Sequence, residues 1–190
     1  MTPDHRSAEA LAADLDHVRD APRDDGRLDL IVTRPEIDLR ETWDAATVDR
    51  RLGVVGDTWS ERGSKRTSDG GPNPEAQVTV MNARAAQLVA GSRERWELAG
   101  DQLYVDLDVS VTNLPTGTRL VIGEAELEVT DAPHTGCAKF SERFGVDALR
   151  ATATPEGREL RLRGINTRVV RDGEITVGDV VRVVRPVPHD

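Results

Sequence analysis

The chain has 190 residues, and 34 acidic against 25 basic side chains leave a formal net charge of −9. That length predicts one domain, and an apolar share of 37% supplies a core, which excludes disorder throughout. The acidic balance excludes non-specific binding to nucleic acid and to anionic membranes, because both need a cationic footprint.

Ala8, Leu11, Ala12, Leu15 and Val18 recur at helical spacing behind Ser7, a capping residue, so an amphipathic helix is expected that ends before Pro22. Residues 1–27 read as this helix and a linker, 28–186 as the main domain, and 187–190 as a tail. Leu28 to Val32 is β-rich and is stopped by Arg34-Pro35, after which Ile37 and Leu39 alternate with charges. Asp44 to Arg50 is compatible with one or two helical turns. Ser60 to Pro74 has no apolar period and carries Gly63, Gly70, Gly71, Pro72 and Pro74; a loop of that length is usually functional or mobile.

Gln77 to Val80 reads as a strand, followed by a helix from Asn82 to Val89 that stops at Gly91, and a shorter helical piece from Arg93 to Leu98. Leu103, Val105, Leu107 and Val109 alternate with Tyr104, Asp106, Asp108 and Ser110, which predicts the clearest strand in the chain. Arg119 to Ile122 is extended, and Ala125, Leu127 and Val129 alternate with three glutamates. Phe140 and Phe144 share one face of a helix beyond Cys137. Leu160 to Arg163, Thr167 to Val170 and Val180 to Val184 read as strands, with Asp172-Gly173 as a two-residue hairpin signal. About eight short strands without strand–helix alternation predict a mainly β fold, a β-barrel-like domain with short peripheral helices.

Cys137 is the only cysteine, so no intramolecular disulfide forms. No apolar run is long enough to span a bilayer, and the N-terminus lacks a secretory h-region; a cytoplasmic location is expected. Three features are candidates for chemistry. Asp131 to Phe140 contains His134, Gly136, Cys137 and Lys139 at a strand-to-helix junction, where backbone N–H groups and nearby cations favour a thiolate. A lone cysteine is also commonly a small buried hydrophobe, and a dyad with His134 three residues away is a weak pattern. The four histidines, His5, His17, His134 and His189, offer no zinc-ligand spacing. Arg62, Lys65 and Arg66 cluster in a glycine-rich loop, which suits a phosphate or equally a solvated surface. Arg161, Arg163 and Arg168 surround Gly164-Ile165-Asn166, as the wet face of a strand or the lining of a pocket.

The order of motifs resembles the MOSC domain family, named for the C-terminal domain of molybdenum-cofactor sulfurases. The resemblance runs through Gly56-Asp57-Thr58-Trp59, Gln77 to Met81, Gly100-Asp101-Gln102-Leu103, Asp106 to Ser110 and Asn113-Leu114-Pro115. It continues through Gly117 to Leu120, Ile122-Gly123, Pro133 to Phe140, Arg163-Gly164-Ile165 and Gly178-Asp179, and so spans about Leu28 to Pro186. It implies a β-rich barrel and a molybdenum-pterin cofactor, with Cys137 as sulfur (persulfide) carrier or molybdenum ligand. His134 is the expected catalytic companion of the thiol. Arg163 or Arg168, taken as strand residues, are the expected fixed contacts to the cofactor's phosphate, with Arg62, Lys65 and Arg66 as a mobile lid and Asn113 as a further cofactor-binding residue. Some relatives reduce N-hydroxylated compounds, so a sulfur donor or an electron-transfer protein is an expected partner.

The full sulfurases carry a pyridoxal-phosphate domain for which 190 residues leave no room, and only Lys65 and Lys139 are lysines, so pyridoxal phosphate is not expected to bind this chain. A stand-alone MOSC-like protein is the reading. The rival is a non-catalytic barrel that binds a small anion or a partner and keeps the cysteine for packing.

Overall fold

The computed structural model describes residues 5–186; residues 1–4 and the expected tail 187–190, with His189, lie outside them. Two short helices come first, α1 (Ala8–Ala13) and α2 (Leu15–Arg19), broken at Asp14. The Ser7 hydroxyl accepts from the Ala10 N–H and caps α1. Next come β1 (Gly26–Thr33), β2 (Glu41–Trp43), β3 (Ala45–Asp49), β4 (Gly53–Val54), β5 (Val78–Asn82), α3 (Ala83–Ala90) and β6 (Leu103–Asp106). The second half holds β7 (Arg119–Ile122), β8 (Ala125–Val129), α4 (Ala138–Phe144), α5 (Val146–Ala153), α6 (Pro155–Glu159), β9 (Ile165–Arg171), β10 (Gly173–Thr176) and β11 (Val180–Val184).

The large sheet runs β11-β7-β8-β9-β5-β6-β1, and a further β11–β1 pairing closes it into a seven-stranded barrel, as expected. Strand β2 extends β1 outside the ring. Every pairing is antiparallel except β5 with β6. A parallel pair needs a crossover, and α3 with a 3-10 segment (Arg93–Ala99) supplies it. Alternation splits the apolar residues into two cores. Ile31, Val80, Leu103 and Val105 point into a barrel filled by side chains. Val32, Met81 and Tyr104 point outward, under α3, α4 and α5. No helix among the described residues is long and apolar enough to cross a membrane.

Several local expectations are corrected. Asp44 to Arg50 is not helical: β3 pairs with β10 in a separate three-stranded sheet, and Val48 is fully buried. Residues Ile37 and Leu39 are not in a strand, and Ile37 is exposed. The expected strand at 103–110 stops at Asp106, and Tyr104 is buried because the crossover covers that face. Leu160 to Arg163 is a turn after α6, with Arg161 left-handed at φ 46°. Thr154 caps α6 and Pro155 opens it, a helix-start signal in the sequence that the strand reading overlooked. Asp172-Gly173 does not form a hairpin between β9 and β10: β9 pairs with β8 and β5, while the Asp172 carboxylate accepts from the Arg50 backbone N–H at 2.7 Å.

Candidate functional site

The segment 130–137 leaves the end of β8 and crosses the barrel rim to α4. Its course is fixed by polar contacts: Thr130 donates to the Glu75 carbonyl at 2.5 Å, and the Asn166 amide donates to the Ala132 carbonyl at 3.0 Å. Two clefts flank it. One of about 730 Å³ is lined by Asp131, Gly136, Arg158, Arg161, Arg163 and Asn166, among others. The other, about 460 Å³, lies under the loop carrying Arg62, Lys65 and Arg66 and also touches Trp59. His134 lines both.

The polar centre of the rim is His134, Asp101 and Arg163. Asp101 lies just before β6 and directly after Gly100, whose left-handed φ of 89° ends the crossover. Its carboxylate is fully buried; Oδ1 lies 2.6 Å from His134 Nε2 and Oδ2 accepts from Arg163 Nη1 at 2.5 Å. Burial alone would raise the Asp101 pKa, but the Arg163 guanidinium and His134 outweigh it and hold the carboxyl at about 2. His134 is pushed the other way: burial, then the Arg163 charge, lowers its pKa against the pull of Asp101. The imidazole is therefore neutral at pH 7, with the Nε2 proton given to Asp101 and the lone pair on Nδ1. Arg163 also donates to the Ala99 carbonyl at 2.9 Å and lies over the Phe140 ring.

Gly164 makes this approach possible. At φ +97°, a Cβ there would lie 2.5 Å from the Val80 carbonyl oxygen and 3.3 Å from His134 Cδ2.

Cys137 is the exposed residue that precedes α4, next to the cleft-lining Gly136. Among the described residues no hydrogen bond joins it to His134, whose Nε2 is taken by Asp101. Lys139 turns to Asp38 at 2.5 Å. The strand setting expected for Arg163 is corrected: it sits in the turn before β9 and is 8% exposed, with its donors on Asp101 and Ala99. Arg168 is on β9 but lines neither cleft; it pairs with Glu128 at 2.5 Å and Glu75 at 3.2 Å. Asn113 is fully buried away from both clefts, where its amide donates to the Arg23 and Asp108 carbonyls and its oxygen accepts from Arg185. It ties the first linker to the far end of the chain. Arg66 reaches the Pro133 carbonyl at 3.4 Å, and Arg62 and Lys65 have no ion pair among the described residues.

Residues 70–182 match the description "MOSC domain". The chain belongs to the MOSC domain family. Membership points to chemistry related to the molybdenum cofactor. Solved structures share the fold: the YuaD protein from Bacillus subtilis superimposes with a TM-score of 0.60 at 18% identity, over 83% of this chain and 94% of that one. YiiM from Escherichia coli gives 0.56 at 18% identity, over 86% of this chain and 72% of that one. At such identities the likeness is one of fold. No curated protein matches the chain significantly.

Asp101 was the residue of this polar centre least visible in the sequence. It stands in a quoted MOSC motif, but its partners lie 33 and 62 residues away.

Proposed function

We propose that this MOSC-domain protein binds a molybdenum-pterin cofactor and uses the Cys137 thiolate as ligand to its metal or as carrier of a sulfane sulfur. The observation that carries the reading is the exposed Cys137 at the rim, near a cleft whose Arg62, Lys65 and Arg66 have no ion pair among the described residues. A soft thiolate suits a sulfur-rich metal sphere, and Arg62, Lys65 and Arg66 suit the anionic end of a pterin phosphate. An exposed thiol contributes little to packing, which weighs against a purely structural cysteine.

The bound cofactor would supply two-electron redox chemistry. The chain's residues would bind and orient it, and His134, neutral and facing both clefts, would take a proton from solvent at Nδ1 and return it to a ligand. Reduction of an N-hydroxylated compound consumes two electrons and two protons and releases water, so it needs an electron-transfer partner as well as such a relay. In the carrier role, the thiolate attacks the outer sulfur of a donor persulfide and the donor thiol leaves, with no net oxidation.

The test is metal analysis of protein produced in a host that makes the cofactor, with pterin fluorescence after oxidation. Near-stoichiometric molybdenum is expected, and Cys137→Ser should lose it, or lose the gain of one sulfur atom after exposure to a small persulfide, without losing stability. Molybdenum only in traces, with no pterin fluorescence and no sulfur uptake, would overturn the reading.

A further inference from the structure

The larger cleft lies across the segment 130–137 from the Arg62 loop. Four arginines line it, Arg150, Arg158, Arg161 and Arg163, against a single carboxylate, Asp131. That is a local excess of cations in a chain whose net charge is −9. Two of the four are answered from outside the cleft: Arg163 by Asp101 at 2.5 Å, and Arg150 loosely by Asp147 at 3.7 Å. Arg158 and Arg161 have no ion pair among the described residues. Glu159, whose charge reaches Arg161, is turned instead to the Thr112 hydroxyl, which donates to it at 2.5 Å.

Arg161 is the anchored one of these two. Its Nη1 donates to the carbonyl of the fully buried Leu114 at 2.7 Å, which fixes the guanidinium. Its Nε and Nη2 donate to no group among the described residues, and neither is a buried atom, so that edge is open to solvent. The backbone beneath it is left-handed at φ 46°, in a turn closed by the Gly164 N–H on the Arg161 carbonyl at 2.7 Å. A glycine would adopt that conformation without strain, whereas here an arginine is held in it beside a cleft. A half-buried guanidinium with no anion is costly, and a ligand that supplies one recovers the cost. Leu149, Ala153 and Ile165 give the same cleft an apolar wall. A space of about 730 Å³ with such a wall and a few placed polar groups has the make-up of a small-molecule site.

We propose that the larger cleft binds a small organic acid, a monocarboxylate with an apolar body, whose carboxylate sits on the Nε–Nη2 edge of Arg161. A planar carboxylate offers that edge two oxygens, the geometry that Arg34 already makes with Asp57 at 2.7 and 2.9 Å. The exposed Arg158 adds attraction at the same cleft. A phosphate dianion fits less well, because one anchored guanidinium balances half its charge and Asp131 repels the rest. His134 lines the cleft too, so the bound acid shares its space with the imidazole. The binding site stands on charge, geometry and volume; only the acid's standing as substrate rests on the cofactor reading.

The test titrates the full chain with benzoate, phenylacetate and hexanoate by calorimetry, with the amide of each acid as its uncharged control. At least one acid should bind saturably, and its amide should bind about tenfold more weakly or worse, the scale of a lost charged hydrogen bond. Arg161→Gln should weaken the acid by a similar factor, and Arg168→Gln, which lines neither cleft, should leave it unchanged. The site is overturned if no acid binds saturably, if the amides bind as well as the acids, or if Arg161→Gln keeps wild-type affinity. Should Arg161→Gln not fold, wild-type affinity in Arg161→Lys, which keeps the charge but loses the two-donor edge, overturns it instead. Inorganic phosphate binding more tightly than every acid overturns the carboxylate assignment. Acid binding by protein that retains no molybdenum removes the cofactor reading and leaves this site standing. Molybdenum retention without acid binding removes only the site.

Discussion

Replacing Asp101 by Asn keeps the shape of the rim but leaves the Arg163 guanidinium, 8% exposed, without its counter-charge. Breaking a buried pair from one side costs about 3–5 kcal/mol, so urea unfolding of Asp101→Asn at pH 7 should show a loss of that order. The same pair sets the acid limit of stability. The Asp101 carboxyl titrates near 2 in the folded chain against an ordinary 3.8, so its contribution is present above pH 4 and is lost as pH falls towards 2. That loss is about 2 kcal/mol. His134 acts at higher pH. Its folded pKa is lowered, so the unfolded chain takes up a proton first as pH falls through the ordinary value of about 6.5, and stability declines from there. His134→Gln should flatten the decline that begins below about pH 6.5 while leaving the fall below pH 4; an unchanged profile in the variant would show that the imidazole is not held neutral. Cys137 and His134 were legible in the sequence because they sit in one contiguous segment. Arg40 gave no local sign, because what distinguishes it is a buried Nε without a partner.

Elements hold these side chains through a few backbone positions. Gly164 turns the chain into β9 at a φ of +97° with the Val80 carbonyl behind it, so Gly164→Ala adds both strain and a collision. A cost of about 1–3 kcal/mol is expected, with displacement of His134 visible as altered imidazole shifts in NMR. Asn82 caps α3 by accepting from the Arg84 N–H at 2.8 Å; Asn82→Ala should cost about 1 kcal/mol in thermal or urea unfolding. This helix was readable from the sequence, cap to C-terminal Gly91, because both signals are local. Residues 45–49 were not, since a short run with Ala46, Thr47 and Val48 suits a helical turn or a strand equally, and only pairing with β10 decides between them. Asp172-Gly173 misled for the same reason: the turn chemistry is present, but Arg50 takes the carboxylate and β10 joins the other sheet.

At the scale of the molecule the barrel closes along a short seam, Gly26 with Val181 and Arg27 with Val180. Gly26 has no room for a side chain: a Cβ would lie 2.5 Å from the Asp106 carbonyl oxygen and 2.9 Å from Leu107 Cβ. Gly26→Val should therefore part β1 from its neighbours and destabilise the fold by about 1–3 kcal/mol or more. Hydrogen exchange should then quicken first in β1 and β11, and uniform exchange across all strands would show that the seam is not the weak point. Sequence alone determined the mainly β class, the order of most strands, the candidate segment around Cys137 and the family, because alternation, caps and motifs are properties of neighbouring residues. Which residues stand together at the rim was decided only by the tertiary structure. Closing the sheet and laying the β5–β6 crossover against it brings Arg34, Arg40, Asp101, His134, Arg143 and Arg163 to one turn, and burial there fixes which charges are paired and which is left over.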